Sequence, residues 1–150
     1  MDPAPEDTSD DVDEISDIGK VDEFNHPSHG IIVSIPVGTH APTPINGSRT
    51  AFYITANQSA TIQPNQSLQI DTGLRTAIPY GFSMLLTSRS RLAAQGIHLA
   101  TEVIDCDYSG PIILTLHNNT SIPRRVCKGE RLSVAVIIPT PSVTWESIEL

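Results

Sequence analysis

Short apolar runs rich in β-branched residues, each ended by Pro, Gly or Asn, constrain this chain more than any other feature. Residues 30–37 (Gly-Ile-Ile-Val-Ser-Ile-Pro-Val) form one such run, and Pro36 cuts it short because proline cannot donate to a strand ladder. Residues 41–47 read as a connector, with Asn46-Gly47 a turn signal. Strand-like segments follow at 50–56, 67–72, 82–86, 97–100, 103–104 and 112–116. Within 67–72, Leu68 and Ile70 point one way and Gln69 and Asp71 the other, the period of a half-buried strand. Residues 132–138 are almost continuously apolar, which predicts a strand buried on both faces. Residues 88–95 predict at most a turn of helix, ended by Gly96. Many short strands with frequent turns predict an all-β fold, a jelly-roll-like sandwich or small barrel.

The chain of 150 residues fits one domain. Its net charge of −8 is unevenly placed: residues 1–24 hold 10 of the 17 acidic residues and a single base, Lys20. The expected organisation is a disordered acidic tail (1–29), a β domain (30–138) and a short C-terminal tail (139–150). No basic stripe with interleaved aromatics occurs, which argues against duplex nucleic acid as a partner. No apolar run approaches the ~18 residues of a membrane span, and the acidic start is unlike a signal or transit peptide. Cys106 and Cys127 lack CxxC spacing, so an intracellular, reducing setting (cytoplasm or nucleus) is expected. The Asn-x-Ser/Thr sequons at Asn46, Asn57, Asn65, Asn118 and Asn119 then read as chance products of composition.

Residues 88–110 carry most of the chemistry. Arg89 offers a planar fork for phosphate oxygens and Ser90 a hydroxyl beside it. Asp105 follows a strand-like pair and precedes a turn closed by Gly110, where a carboxylate can orient and deprotonate water. Tyr108 offers a flat face for a sugar or base. Each feature has a plainer explanation, a surface Arg or ordinary Asp turn chemistry, and the residue types alone leave the choice open.

These residues resemble signature motifs of the dUTPase family. Arg89, Ser90, Leu92 and Ala93 match P-R-S-[GS]-L-A, and Val103, Ile104, Asp105, Asp107, Tyr108 and Gly110 match G-V-I-D-x-D-Y-x-G. Residues 128–132 resemble K-G-[DE]-R-[IL], while 60–66 and 71–74 resemble T-I-x-P-G-E and x-T-G-[IL]. Residues 94–97 are most similar in flavour to retroviral and retroelement dUTPases. The resemblance spans residues 30–138 and implies a jelly-roll-like β domain assembling as a homotrimer, with sites between subunits. It implies hydrolysis of dUTP to dUMP and pyrophosphate, with Mg²⁺ accompanying the nucleotide. Asp105 would be the general base and Tyr108 would stack under the deoxyribose. Backbone groups around 100–104, including Val103 and Ile104, would read the uracil edge, and Arg89 and Ser90 would hold phosphates.

Three departures from the family pattern stand out. Tyr53 takes the place of an Asp in A-G-Y-D-L that supports the metal and phosphate site, so no residue here is assigned as a metal ligand. Arg91 and Glu102 replace small residues beside the phosphate and uracil segments. The Gly-rich closing arm has no counterpart in residues 139–150, which end in a tail containing Trp145. Two functions therefore stay open: a dUTP diphosphatase, and a non-catalytic trimeric module that binds a nucleotide or a protein. The acidic tail and the Ile148-Glu149-Leu150 terminus are candidate protein-docking elements. The related dCTP deaminases place a catalytic Glu where this chain has Thr115, which disfavours deamination.

Overall fold

In the computed structural model, the described residues are 30–150. The expected disorder of 1–29 lies outside them. Twelve short strands supply nearly all the regular structure of these residues, joined by turns and loops: β1 (Ile32–Ser34), β2 (Thr43–Pro44), β3 (Ala51–Thr55), β4 (Ala60–Ile62), β5 (Ser67–Asp71), β6 (Arg75–Ala77), β7 (Phe82–Ser88), β8 (Ile97–Leu99), β9 (Glu102–Ile104), β10 (Ile113–Asn118), β11 (Arg124–Val126) and β12 (Arg131–Pro139). A 3-10 turn at Ile45–Gly47 and one short helix, α1 (Ser90–Ala94), interrupt them. No helix among the described residues is long and apolar enough to cross a membrane.

The main sheet has the order β2-β3-β12-β7-β9, and a second sheet has the order β5-β10-β8. Two small antiparallel pairs, β1 with β6 and β4 with β11, accompany them. Alternation decides which residues turn inward. In β10, Leu114, Leu116 and Asn118 are buried while Ile113, Thr115 and His117 are half-buried. On β5, Ile70 is buried between exposed Gln69 and Asp71, as its period predicts. Ile54, Ile70, Leu86, Leu114, Leu116 and Leu132 form the centre of the core. Each buried Leu or Ile contributes about 1.5–3 kcal/mol.

Two polar details fix the loops. Asn118 is fully buried, and its amide donates to the carbonyls of Ile62 (3.0 Å) and Ile122 (2.8 Å). Its Oδ1 accepts from the Thr120 backbone N–H (3.0 Å) and hydroxyl (2.6 Å). That sequon asparagine is therefore a structural hub, with no room for a glycan. Gly96 ends α1 at φ +82°, and a Cβ there would lie 2.5 Å from Cγ2 of Thr120, so any side chain meets both strain and a clash.

β12 departs from its expected double burial. It sits centrally between β3 and β7, yet Val134, Val136 and Ile138 are only half-buried. The register places Ala51, Val136, Leu85 and Val103 in one row across four strands. Paired residues share a sheet face, so this row is an apolar outer face, with Val103 56% exposed. The protomer alone covers one face of a sheet whose sequence is apolar on both.

Candidate functional site

Asp105 directly follows β9, the edge strand of the main sheet. The chain then turns tightly, with the Tyr108 N–H donating to the Asp105 carbonyl at 3.1 Å. Tyr108 folds back so that its hydroxyl donates to the Pro111 carbonyl at 2.6 Å. Its ring lies over Gly110, where a Cβ would come within 2.6 Å of Oη and 2.8 Å of Cζ. Gly110 is needed for this close approach, and the ring remains 39% exposed, a platform rather than a core residue.

A cleft of about 390 Å³ opens beside this turn. Glu102 to Asp105 form one wall, Tyr108 and Pro111 close one end, and Gln69, Ile113 and Thr115 supply the floor from the outward face of β5 and β10. Four predicted site residues, Val103, Ile104, Asp105 and Tyr108, therefore share one cleft. Ile104 is 7% exposed and anchors the wall, while Val103 points outward. Among the described residues the outer edge of β9 has no strand partner, which leaves backbone donors and acceptors available to a planar ligand. Sequence reasoning missed Gln69, Pro111 and Ile113, whose contribution depends on the β5–β10 register.

Arg89 and Ser90 lie elsewhere. β7 pairs with β9 so that Met84 faces Ile104, which sets Asp105 level with Ser83, while Arg89 follows the far end of β7. Six residues of strand separate those levels, about 20 Å, so one protomer does not bring Arg89 to Asp105. Arg89 caps α1 in an extended conformation, and Ser90, the first helical residue, is exposed. The Arg89 Nη1 donates to the Arg131 carbonyl at 3.3 Å.

Two cations approach the Tyr53 ring. The guanidinium of Arg131 sits 4.5 Å from its ring centroid and that of Arg89 5.5 Å. Arg131 pairs with Thr55, two residues from Tyr53 and on the same face, beside a register shift between Arg131 and Ser133. Among the described residues neither arginine pairs with a carboxylate; Glu130 beside Arg131 pairs instead with Arg124, at 3.2 Å. The groups around Tyr53 do not fit a protein-held divalent cation, since two guanidinium charges stand there where hard oxygen ligands, carboxylates above all, would be required. The Asp105, Cys106 and Asp107 ligand atoms do lie within 4.8 Å of one another. The Cys106 thiol is pushed above its ordinary value by burial, by its hydrogen bond with Asp105 and by the charges of Asp107 and Asp105, which keeps it protonated and a poor ligand.

A second cavity, about 600 Å³, is apolar and lies apart, between β1 and the main sheet. Ile31, Val33, Phe52, Phe82 and Ile137 line it, with Arg49 at its margin and none of the predicted site residues. The 390 Å³ cleft is the better candidate for chemistry because it contains a carboxylate, an aromatic platform and a free strand edge.

Comparison with known proteins agrees with this architecture. The family model for dUTPase matches residues 39–149. The deoxyuridine 5'-triphosphate nucleotidohydrolase of Wolbachia pipientis wMel is 34% identical over 130 residues, 85% of this chain and 82% of that protein. The Gloeobacter violaceus protein of the same name is 32% identical over 90 residues, 58% of this chain and 61% of that protein. Among solved structures, the Staphylococcus bacteriophage 80alpha dUTPase superposes with a TM-score of 0.72 at 21% identity, covering 80% of this chain and 96% of that one. A mutant dUTPase from phage phi11 of S. aureus, solved with a structural Mg(II) ion, gives a TM-score of 0.74 at 19% identity over 81% of this chain and 98% of that one. The chain belongs to the dUTPase family.

Proposed function

We propose that this protein hydrolyses dUTP to dUMP and pyrophosphate at a site shared between the subunits of a homotrimer. The observation that carries the proposal is the cleft in which Asp105, Tyr108 and the edge of β9 converge. There, the β9 backbone pairs with the uracil edge and Val103 and Ile104 frame it. Tyr108, held by Pro111 and Gly110, packs against the deoxyribose and leaves little space for a ribose 2′-hydroxyl. The Asp105 carboxylate takes a proton from water as that water attacks the α-phosphorus. Arg89 and Ser90 hold the phosphates.

Two features support a composite site. About 20 Å of strand lies between Arg89 and Asp105 along one protomer, so a second subunit has to supply the phosphate-binding group. The apolar row Ala51, Val136, Leu85 and Val103 offers the buried contact that association requires. Mg²⁺ carried on the nucleotide would polarise its phosphates, but the residues around Tyr53 give that ion no carboxylate.

The test is pyrophosphate release from dUTP and from UTP, with Asp105→Ala as control. Turnover of dUTP that exceeds the control and greatly exceeds UTP turnover supports the enzyme. Nucleotide binding without turnover favours the second function, a non-catalytic trimeric module. Glu102 in the cleft wall, where the family has Gly, and Tyr53 in place of Asp speak for that alternative.

A further inference from the structure

We infer that Tyr53, Arg89 and Arg131 form a polyphosphate-binding clamp that needs no divalent cation, with Tyr53 as the positioning residue. The inference deepens the proposed phosphate role of Arg89 and rests on that reading for the identity of the ligand.

The argument starts from charge. Arg89 is half-buried and Arg131 exposed, and both guanidinium groups address one half-buried aromatic ring, at 5.5 and 4.5 Å. An aromatic face attracts a cation through its quadrupole without neutralising it. A carboxylate at position 53 would attract the same two groups and cancel one unit of their charge. With Tyr the clamp is therefore one unit more positive than with Asp. A carboxylate set among phosphates relies on a divalent ion to offset repulsion, whereas the Tyr53 clamp already carries that compensation in its two arginines.

Geometry gives the clamp its direction. Val134 pairs with Tyr53 on one side of β12 and with Thr87 on the other, so the ring shares the outward face of the sheet. Arg131 pairs with Thr55, two residues from Tyr53, so its side chain shares the face of the ring it reaches at 4.5 Å. Arg89 arrives from the end of β7 and is tied to the Arg131 carbonyl at 3.3 Å. Both guanidinium groups are thus held within 5.5 Å of one ring centroid, and an anion that reaches both would offset their like charge. Guanidinium forks suit phosphate oxygens bidentately.

The experiment is isothermal titration of inorganic tripolyphosphate into the full chain, once with EDTA and once with millimolar Mg²⁺. The expected result is dissociation constants equal within about threefold. Weakening by about tenfold or more in EDTA, or no binding in either buffer, overturns the inference. Tyr53→Phe keeps the aromatic face and should bind like wild type. Tyr53→Leu should bind about tenfold more weakly, a change of about 1.4 kcal/mol. Tyr53→Asp should make binding Mg²⁺-dependent by about tenfold, a response that a purely structural residue would not produce. Unchanged affinity in folded Tyr53→Leu overturns the positioning role. If the Tyr53 variants do not fold, Arg131→Gln decides, since the exposed Arg131 tolerates replacement and its loss should weaken binding about tenfold. Pyrophosphate release from dUTP is followed in parallel. Metal-free tripolyphosphate binding without dUTP turnover keeps the clamp and removes the enzyme; turnover with strictly Mg²⁺-dependent binding does the reverse.

Discussion

Replacing Gly110 by Ala tests whether the Tyr108 platform is built as described. The added Cβ would lie 2.6 Å from the Tyr108 Oη, 2.8 Å from Cζ and 3.1 Å from Cε2. Contacts that short force the ring to leave. Leaving breaks the 2.6 Å hydrogen bond to the Pro111 carbonyl, a loss of about 1 kcal/mol. Because Tyr108 is 39% exposed, it can swing into solvent, so the remaining penalty is a modest packing loss. The sum is about 1–2 kcal/mol, well below the cost of a core clash. Urea denaturation of wild type, Gly110→Ala, Tyr108→Ala and the double variant forms a thermodynamic cycle. In the Tyr108→Ala background the clash has no partner, and Gly110→Ala should cost less than about 0.5 kcal/mol. If the proposed function holds, Gly110→Ala alone should also raise KM for dUTP, because the ring proposed to sit under the deoxyribose is displaced. Equal destabilisation in both backgrounds would refute the reasoning, since Gly110 would then serve backbone conformation rather than the ring.

The remaining expectations follow from single residues. Asp105→Asn should lower kcat by about 10²-fold or more while nucleotide affinity, measured by titration, changes little. Asn118→Ala should destabilise by about 2–3 kcal/mol in urea, because the Ile62 and Ile122 carbonyls and Thr120 lose buried partners. In a Cys127→Ser background, alkylation of Cys106 by iodoacetamide should rise only above the usual thiol range, and Asp105→Asn should move that profile downward. The fold holds the protonated thiol, so its contribution to stability is present at lower pH and is lost as pH rises through the elevated value. Leu85→Glu should leave a folded monomer, seen as a drop in mass by light scattering, because it puts a charge into the apolar row on the outer sheet face.

The sequence made some of this architecture legible and hid the rest, for physical reasons. The alternation in 67–72 and the apolar run at 132–138 announce β5 and β12, since the first is long enough to show a period and the second to stand out as an unbroken apolar stretch. β4, β6 and β11 have three residues each, too few for any period, and exist because partner strands capture them. The convergence of Asp105 and Tyr108 was readable because both lie on one short turn closed by Gly110. The meeting of Tyr53 with Arg131 was not, because it depends on a pairing between β3 and β12 that no local pattern encodes.

The β9 strand ends its sheet after only three residues, with Glu102 at its start and Asp105 just beyond it. Open strand edges recruit further strands and seed aggregates, and chains guard against this by shortening and charging them. The same two measures leave a window of main-chain donors and acceptors about as long as a single pyrimidine. Protection from self-association and selection of a small planar guest would then be one adaptation, so lengthening this edge should compromise solubility and recognition together.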